Sequence, residues 1–262
     1  QAEDGIRDPL WSRGLGDVYK RQNLIIDPWL KGDLIFPPGE WFFKGSLEEE
    51  ILIDKEIDII LLTQGLPDHC HVPTLEMFRK DIPIICPKSA VEKLEKIGFN
   101  SIKMLKPTEK TNQFNLSFEA TAGAPVPQIE NGYIVKDDQD NGFYIEPHGY
   151  LDENLNKQSL DAVITPTKNL ELPIVGSFVK GADVIPKLIN KFNPKYILSS
   201  TIGGDAKYSG FLNNFISVQD YEEELNCNLV DLKSMQSLSL IHISEPTRPE
   251  RISYAGFCVE KK

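Results

Sequence analysis

The chain has 262 residues, 40% hydrophobic, 26% charged and 9% aromatic, a make-up that fits a folded globular protein and excludes disordered and collagen-like classes. Its formal charge of −11, from 28 basic and 39 acidic side chains, opposes nucleic-acid binding, because a phosphate-binding surface must meet that charge with Lys and Arg. No apolar run reaches the roughly 18 residues a membrane helix requires, so no membrane partner is expected.

Residues 1–22 show no sustained apolar period of either 2 or 3.6 residues. NLIIDPWL (23–30) is a short apolar run closed by Asp-Pro, which predicts a buried strand followed by a sharp turn. Glu48-Glu49-Glu50 reads as a solvated helix face. IDIILLT (57–63) has no polar interruption and predicts a strand covered on both faces. The loop QGLPDHCH follows it, and VPTLEMFRK (72–80) predicts a helix opened by its Pro.

IPIICP (82–87) predicts another buried strand, and SAVEKLEKIGF a helix with Ser89 as N-cap and Gly98 as its stop. Between 101 and 146 the runs SIKMLK, NLSFEAT, GYIVKD and GFYIEP predict an antiparallel meander punctuated by Asn-Gly at 131–132 and 141–142. DAVITP (161–166) is again a covered strand, GADVIPKLINKF (181–192) an amphipathic helix and KYILSST (195–201) the last clear strand. Strand and helix alternate at both ends around an antiparallel middle, so the expected class is α/β, one domain with sheets inside and helices outside.

Residues 239–262 again lack a period, and the arginines set both flanks apart. Arg79 is the one arginine between residues 23 and 238, beside 19 lysines, whereas the flanks hold Arg7, Arg13, Arg21, Arg248 and Arg251. Both flanks resemble peptides produced when sequencing-adapter DNA is translated at the ends of assembled reads. Residues 1–22 and 239–262 are therefore read as non-native tails, the alternative being genuine disordered tails, and 23–238 as the domain.

Chemistry concentrates in TQGLPDHCH, where Asp68, His69 and His71 offer one carboxylate and two imidazoles within four residues, all acceptable zinc ligands. A loop after a buried strand and before a helix is also where open α/β sheets gather ligands. The alternative is that Asp68 caps a turn and the histidines are solvated. Outside this loop the domain has one histidine, His148 in YIEPHGY. Cys70, Cys86, Cys227 and Cys258 form no CxxC pair, which fits a reducing, cytoplasmic compartment. A nucleophilic Cys70 has no acyl-transfer motif beside it.

NLIIDPWL, LLTQGLPDHCHVPTL, GFYIEPHGYLD, DAVITP and YILSST, in this order and spacing, resemble the metallo-β-lactamase fold, in particular its branch of ascorbate-phosphate-lactonase-like hydrolases. The resemblance covers 23–238 and implies a four-layer αββα sandwich. It also implies a metal site built from an HxHxDH motif, a later His, an Asp after a Tyr-containing strand and a final His. Here the motif positions read Gln64, Leu66, Asp68 and His69, so its first two imidazoles are missing. The later His should fall within 121–132, where Gln128 is the nearest polar candidate, and the final His falls on Ser199-Ser200-Thr201. Glu146-Pro147-His148 stands where the family has Gly-Asp-Thr. Family members carry further strands before NLIIDPWL, so the domain is expected to be N-terminally truncated, with one sheet edge missing or mispaired.

Three readings follow. A mononuclear site for zinc or another divalent ion, one ion at most, is rebuilt from Asp68, His69 and His148 with His71 or Glu146, and Asp68 and His69 then serve a metal-dependent hydrolase. In the second, Asp68 and His69 persist only in the loop's own hydrogen bonding, with no metal. In the third, the pocket binds a small-molecule ligand without hydrolysis through Gln64, Glu130, Asn131, Glu146 and His148. In this fold the aromatic segment Pro37-Pro38-Gly39-Glu40-Trp41-Phe42-Phe43 lies near the pocket entrance, where it grips an apolar substrate or covers the core beneath it.

Overall fold

The computed structural model describes residues 22–53, 56–125, 130–173, 176–200, 206–221, 227–230 and 258–259. The uninterrupted apolar runs form the central strands, because a strand with both faces covered gains from burying every side chain. β1 (Leu24–Ile26), β4 (Ile59–Leu61), β5 (Ile84–Cys86) and β6 (Ile102–Met104) are parallel neighbours in one sheet. On its other side β1 pairs antiparallel with the two-residue strand β18 (Cys258–Val259) from the C-terminal flank.

The second sheet runs β17-β14-β11-β10-β9-β8-β7. Its antiparallel half is β7 (Lys110–Gln113), β8 (Leu116–Ala122), β9 (Asn131–Lys136) and β10 (Gly142–Ile145). Its parallel half adds β11 (Ala162–Thr165), β14 (Tyr196–Ser199) and β17 (Asn228–Val230) to β10.

Period-2 alternation splits the apolar side chains into three layers of core. Leu24, Ile26, Ile59, Leu61 and Ile85 face Phe118, Tyr133, Val135, Phe143, Ile145, Ile164 and Leu198 between the sheets. Their sequence neighbours Ile25, Ile60 and Ile84 point outward against Leu75 of α1 (Val72–Leu75) and Ala90 and Leu94 of α2 (Lys88–Lys96). Tyr144, Val163 and Ile197 point outward on the other side against Val184, Ile185, Leu188 and Phe192 of α3 (Gly181–Phe192). The order helix, sheet, sheet, helix is the expected four-layer sandwich. Among the described residues no helix is long and apolar enough to cross a membrane.

Two small antiparallel sheets flank the sandwich. One orders β15-β3-β2, from β2 (Asp33–Phe36), β3 (Phe43–Leu47) and β15 (Ala206–Ser209). The other orders β13-β12-β16, from β12 (Lys168–Leu172), β13 (Gly176–Lys180) and β16 (Ser217–Asp220).

Several local expectations are corrected. SIKMLK is not part of the meander: β6 extends the first sheet, parallel to β5, because α2 supplies the crossover that parallel pairing needs. Asn131-Gly132 is no turn but the start of β9, where a Cβ on Gly132 would lie 2.5 Å from Thr121 Oγ1 and 3.1 Å from the Tyr144 hydroxyl. VPTLEMFRK gives only the single turn of α1, and Glu48-Glu49-Glu50 is exposed but follows β3 without a helix. Pro87, not Ser89, occupies the N-cap of α2, and no side chain caps it. Gly98 does end that helix, at φ +91°, a conformation L side chains resist. Trp41 is 67% exposed and so does not cover the core.

The loop after β4 is seated on α2. Lys93 donates to the Gly65 carbonyl, and a Cβ on Gly65 would lie 2.2 Å from the Ser89 carbonyl oxygen. Gly65→Ala is therefore expected to cost about 1–3 kcal/mol through overpacking, read as a lower urea midpoint at unchanged slope.

Candidate metal centre

The site forms where strand ends from the two sheets meet. β1 ends at Asp27, in a left-handed turn at φ +44°, with its N–H on the Leu61 carbonyl at 3.0 Å. The Asp27 carboxylate then receives three donors from the neighbouring strand and loop. The Thr63 N–H donates to Oδ1 at 2.8 Å, and the Thr63 hydroxyl and His69 Nδ1 donate to Oδ2 at 2.5 and 2.8 Å. The loop between is tight, with the Leu66 carbonyl accepting from the N–H groups of His69 and Cys70. This fixes the His69 ring with Nδ1 as donor and turns Nε2 toward Asp68 and His148.

Those facing atoms lack ordinary partners. His69 Nε2 lies 3.1 Å from Asp68 Oδ2, yet neither it nor Asp68 Oδ1 makes a hydrogen bond. Asp68, His69 and His148 present one ligand atom each, all within 4.8 Å of one another, and the two imidazole rings are 5.3 Å apart. Burial alone would pull the His69 pKa down, but the carboxylates of Asp68 and Asp27 outweigh it and hold it well above the usual imidazole range. Burial likewise pushes the Asp68 carboxyl up and is outweighed by His69 and His148, so it titrates below its usual range.

Across the seam, the Asn131 N–H donates to the Thr63 carbonyl at 3.0 Å, which ties the backbone next to Glu130 to the backbone next to Gln64. Both are fully buried, and neither amide atom of Gln64 nor either oxygen of Glu130 is hydrogen-bonded. Of eleven buried side-chain polar atoms without a hydrogen bond among the described residues, seven belong to Gln64, Asp68, His69, Glu130 and His148. Unpaired buried polar atoms are costly and ordinarily rare, so their concentration in one pocket indicates a site made for a ligand. One carboxylate and two imidazoles fit a divalent cation, with His69 giving up its Nε2 proton on binding.

The remaining expected residues divide. Glu146 lies beside Glu130, and burial first, with the Glu130 charge adding, pushes its carboxyl up to about 7 against the opposing His148. Asn131 is committed to the scaffold, donating to the Leu105 carbonyl and the Tyr133 hydroxyl at 2.9 and 3.0 Å. His71 is not brought to the centre: Nδ1 pairs with the Thr74 hydroxyl at 2.9 Å, Nε2 donates to the Asp33 carbonyl at 3.3 Å, and its ring meets Trp29. Burial pushes the Cys70 thiol up to about 11, which leaves little thiolate for nucleophilic work. Gln128 and Thr201 lie outside the described residues, and the Ser199 hydroxyl pairs with Thr167 at 2.9 Å.

Asp27 is the functional residue that the motif-centred reading passed over. Its signal was present, since a carboxylate directly after a buried strand has to find donors. Asp27→Ala is expected to cost about 3 kcal/mol in urea unfolding, because it strands a backbone N–H, a hydroxyl and an imidazole N–H, and Asp27→Asn is expected to cost less.

The profile of the beta-lactamase superfamily domain matches residues 19–200. Among solved structures, one described as a possible metal-dependent hydrolase from Veillonella parvula DSM 2008 is similar over 69% of this chain and 78% of its own, at 16% identity and TM-score 0.51. The isothiocyanate hydrolase from Delia radicum gut bacteria is similar over 68% of this chain and 77% of its own, at 14% identity and TM-score 0.50. A variant of the CmlA beta-hydroxylase of Streptomyces venezuelae is similar over 70% of this chain, at 11% identity and TM-score 0.50, and this chain spans 43% of its length. No curated protein matches in sequence. The family match spans more than half of the chain, and the chain belongs to the beta-lactamase superfamily.

Proposed function

We propose that this protein is a metal-dependent hydrolase acting on a small molecule, with Asp68, His69 and His148 as the metal ligands. One observation carries the reading: His69 has Nδ1 committed to Asp27 and Nε2 unbonded, facing Asp68 and His148. A carboxylate behind a histidine, fixing its tautomer and orientation, is the usual support of a metal-ligating imidazole. When bound, a divalent ion such as zinc polarises a carbonyl or phosphoryl oxygen and acidifies water. The chain's own part is to hold the ligands rigidly, through Asp27 and the Leu66 turn, and to keep the centre largely dry. The cysteines support a reducing, cytoplasmic setting, since Cys70, Cys86 and Cys227 are free thiols.

The substrate's apolar part is assigned to the hairpin β2–β3 and β15. Phe43 and Tyr208 stack at 5.6 Å and Trp41 stands exposed at the tip, aromatic surface suited to an apolar group. Binding without hydrolysis is the second reading, favoured by the buried, unbonded amide of Gln64, a group suited to recognition.

Protein purified without chelator is expected to carry zinc or a similar ion and to cleave some member of a panel of esters, lactones and phosphoesters. His69→Ala should lower both metal affinity and turnover at least on the order of 100-fold, since even partners behind a ligand are worth 10–100-fold. A metal-loaded protein that binds but cleaves none of the panel supports the second reading. Trp41→Ala should raise KM for aryl esters about 3- to 10-fold more than for alkyl esters, the range expected for one aromatic contact.

A further inference from the structure

The outer face of β7, β8 and β9 carries a cleft that the metal centre does not use. Alternation along the strands turns Phe118 and Ala120 of β8 and Tyr133 and Val135 of β9 inward, so Ser117, Glu119, Ile134 and Lys136 face outward. Register adds their partners. Asn112 of β7 stands opposite Ser117, which stands opposite Lys136, and Lys110 stands opposite Glu119, which stands opposite Ile134. The result is two rows of three side chains, with neighbours about 5 Å apart. α3 packs over Tyr144, Val163 and Ile197, and beside the two rows the wall is formed instead by Leu155, Asn156 and Gln158.

Between the rows and this wall lies a cleft of about 390 Å³, within the roughly 300–1,000 Å³ of small-molecule sites. The wall is held from behind. Lys191 Nζ donates to the carbonyls of Glu153 and Leu155 at 3.2 and 2.7 Å, and the Gln158 N–H donates to the Lys191 carbonyl at 3.1 Å. The Asp152 carboxylate accepts the N–H groups of Ala122 and Asn154 at 3.2 and 3.0 Å, which ties the start of the same segment to β8. A shape fixed in advance costs its ligand little ordering.

The charge of the lining is balanced from within. Lys110 lies 2.8 Å from Glu119 and Lys136 lies 2.8 Å from Asp140, so each ammonium already faces a carboxylate. What the cleft offers a ligand is therefore neutral: the side-chain amides of Asn112, Asn156 and Gln158, without hydrogen bonds among the described residues, and the Ser117 hydroxyl, whose proton goes to the Lys136 carbonyl at 3.3 Å while its lone pairs stay open. Mixed donors and acceptors beside the apolar Ile134 and Leu155 match hydroxyl groups on a C–H skeleton, since each hydroxyl both donates and accepts. We propose that this cleft binds a neutral polyhydroxylated molecule, a mono- or disaccharide. At about 3.3 Å per residue, Lys136 stands on the order of 20 Å along β9 from Glu130, so the cleft is separate from the metal centre, and the proposal does not rest on the hydrolytic reading.

The test titrates the full chain with glucose, galactose, maltose and sucrose, and separately with a glucose phosphate and inorganic phosphate, read by two-dimensional amide NMR. At least one neutral sugar should shift the amides of 110–119, 134–136 and 155–158 with a dissociation constant on the order of 1 mM or tighter, and leave those of Asp68, His69 and His148 in place. Asn112→Ala and Gln158→Ala should each weaken that binding about 3- to 10-fold, the loss of one hydrogen bond, with metal content unchanged. Absence of shifts with every neutral sugar at about 50 mM overturns the proposal, as do shifts centred on the metal pocket. Either phosphate bound in the cleft more than about 10-fold tighter than glucose overturns the neutral class and with it the proposal. Asn112 is exposed on an edge strand, so its variant decides even where Gln158→Ala does not fold, and unchanged sugar affinity in Asn112→Ala overturns the assignment of the cleft.

Discussion

The Asp27 carboxylate joins three things that the chain supplies separately: the end of β1, the end of β4 through Thr63, and the ring of His69. With a side chain 14% exposed, it exchanges solvent for directed donors, and the exchange is favourable only if all three arrive together. The parallel pairing of β1 with β4 makes that arrival automatic, because Ile26 is in register with Leu61 and the two chains leave the sheet side by side. The orientation of a candidate metal ligand is thereby a by-product of sheet register. Nothing at the centre has to be held by a flexible loop acting alone.

Much of the sandwich was legible because its central strands are uninterrupted apolar runs: Ile59–Leu61, Ile84–Cys86 and Ala162–Thr165 all fall inside segments read as covered strands. α3 matched its expected span because its apolar stripe is long enough for the 3.6-residue period to emerge. The small sheets were not legible. Strands such as Ser217–Asp220 and Lys110–Gln113 are mostly polar and partly or wholly exposed, so they leave no hydrophobic pattern behind. SIKMLK was misplaced for a different reason: three residues of strand cannot reveal which sheet they join, since that is decided by the helix before them. At the site, Asp68, His69 and His148 could be named from residue chemistry, whereas the withdrawal of His71 to Thr74 and the Asp33 carbonyl depends on side-chain direction, which spacing does not encode.

The family resemblance framed the centre as one that had lost imidazoles at Gln64 and Leu66. The structure adds two carboxylates beside His148, Glu130 and Glu146, both fully buried. Each side of the pocket supplies both kinds of donor, Asp68 and His69 from one and Glu130, Glu146 and His148 from the other, with the larger share of carboxylate on the second. A centre of this kind differs from a histidine-rich one in hardness as well as in ligand number, and its chemistry follows from that difference.

The hydrogen bond from Asn131 to Thr63 crosses from one sheet to the other at the very place where the unpartnered side chains converge. His69 belongs to one layer, Glu130 and His148 to the other, so whatever binds between them stitches the sandwich shut along its open rim. Occupancy and cohesion are thereby coupled: a ligand held between the two layers adds, at this rim, to the buried apolar contacts that already join the sheets.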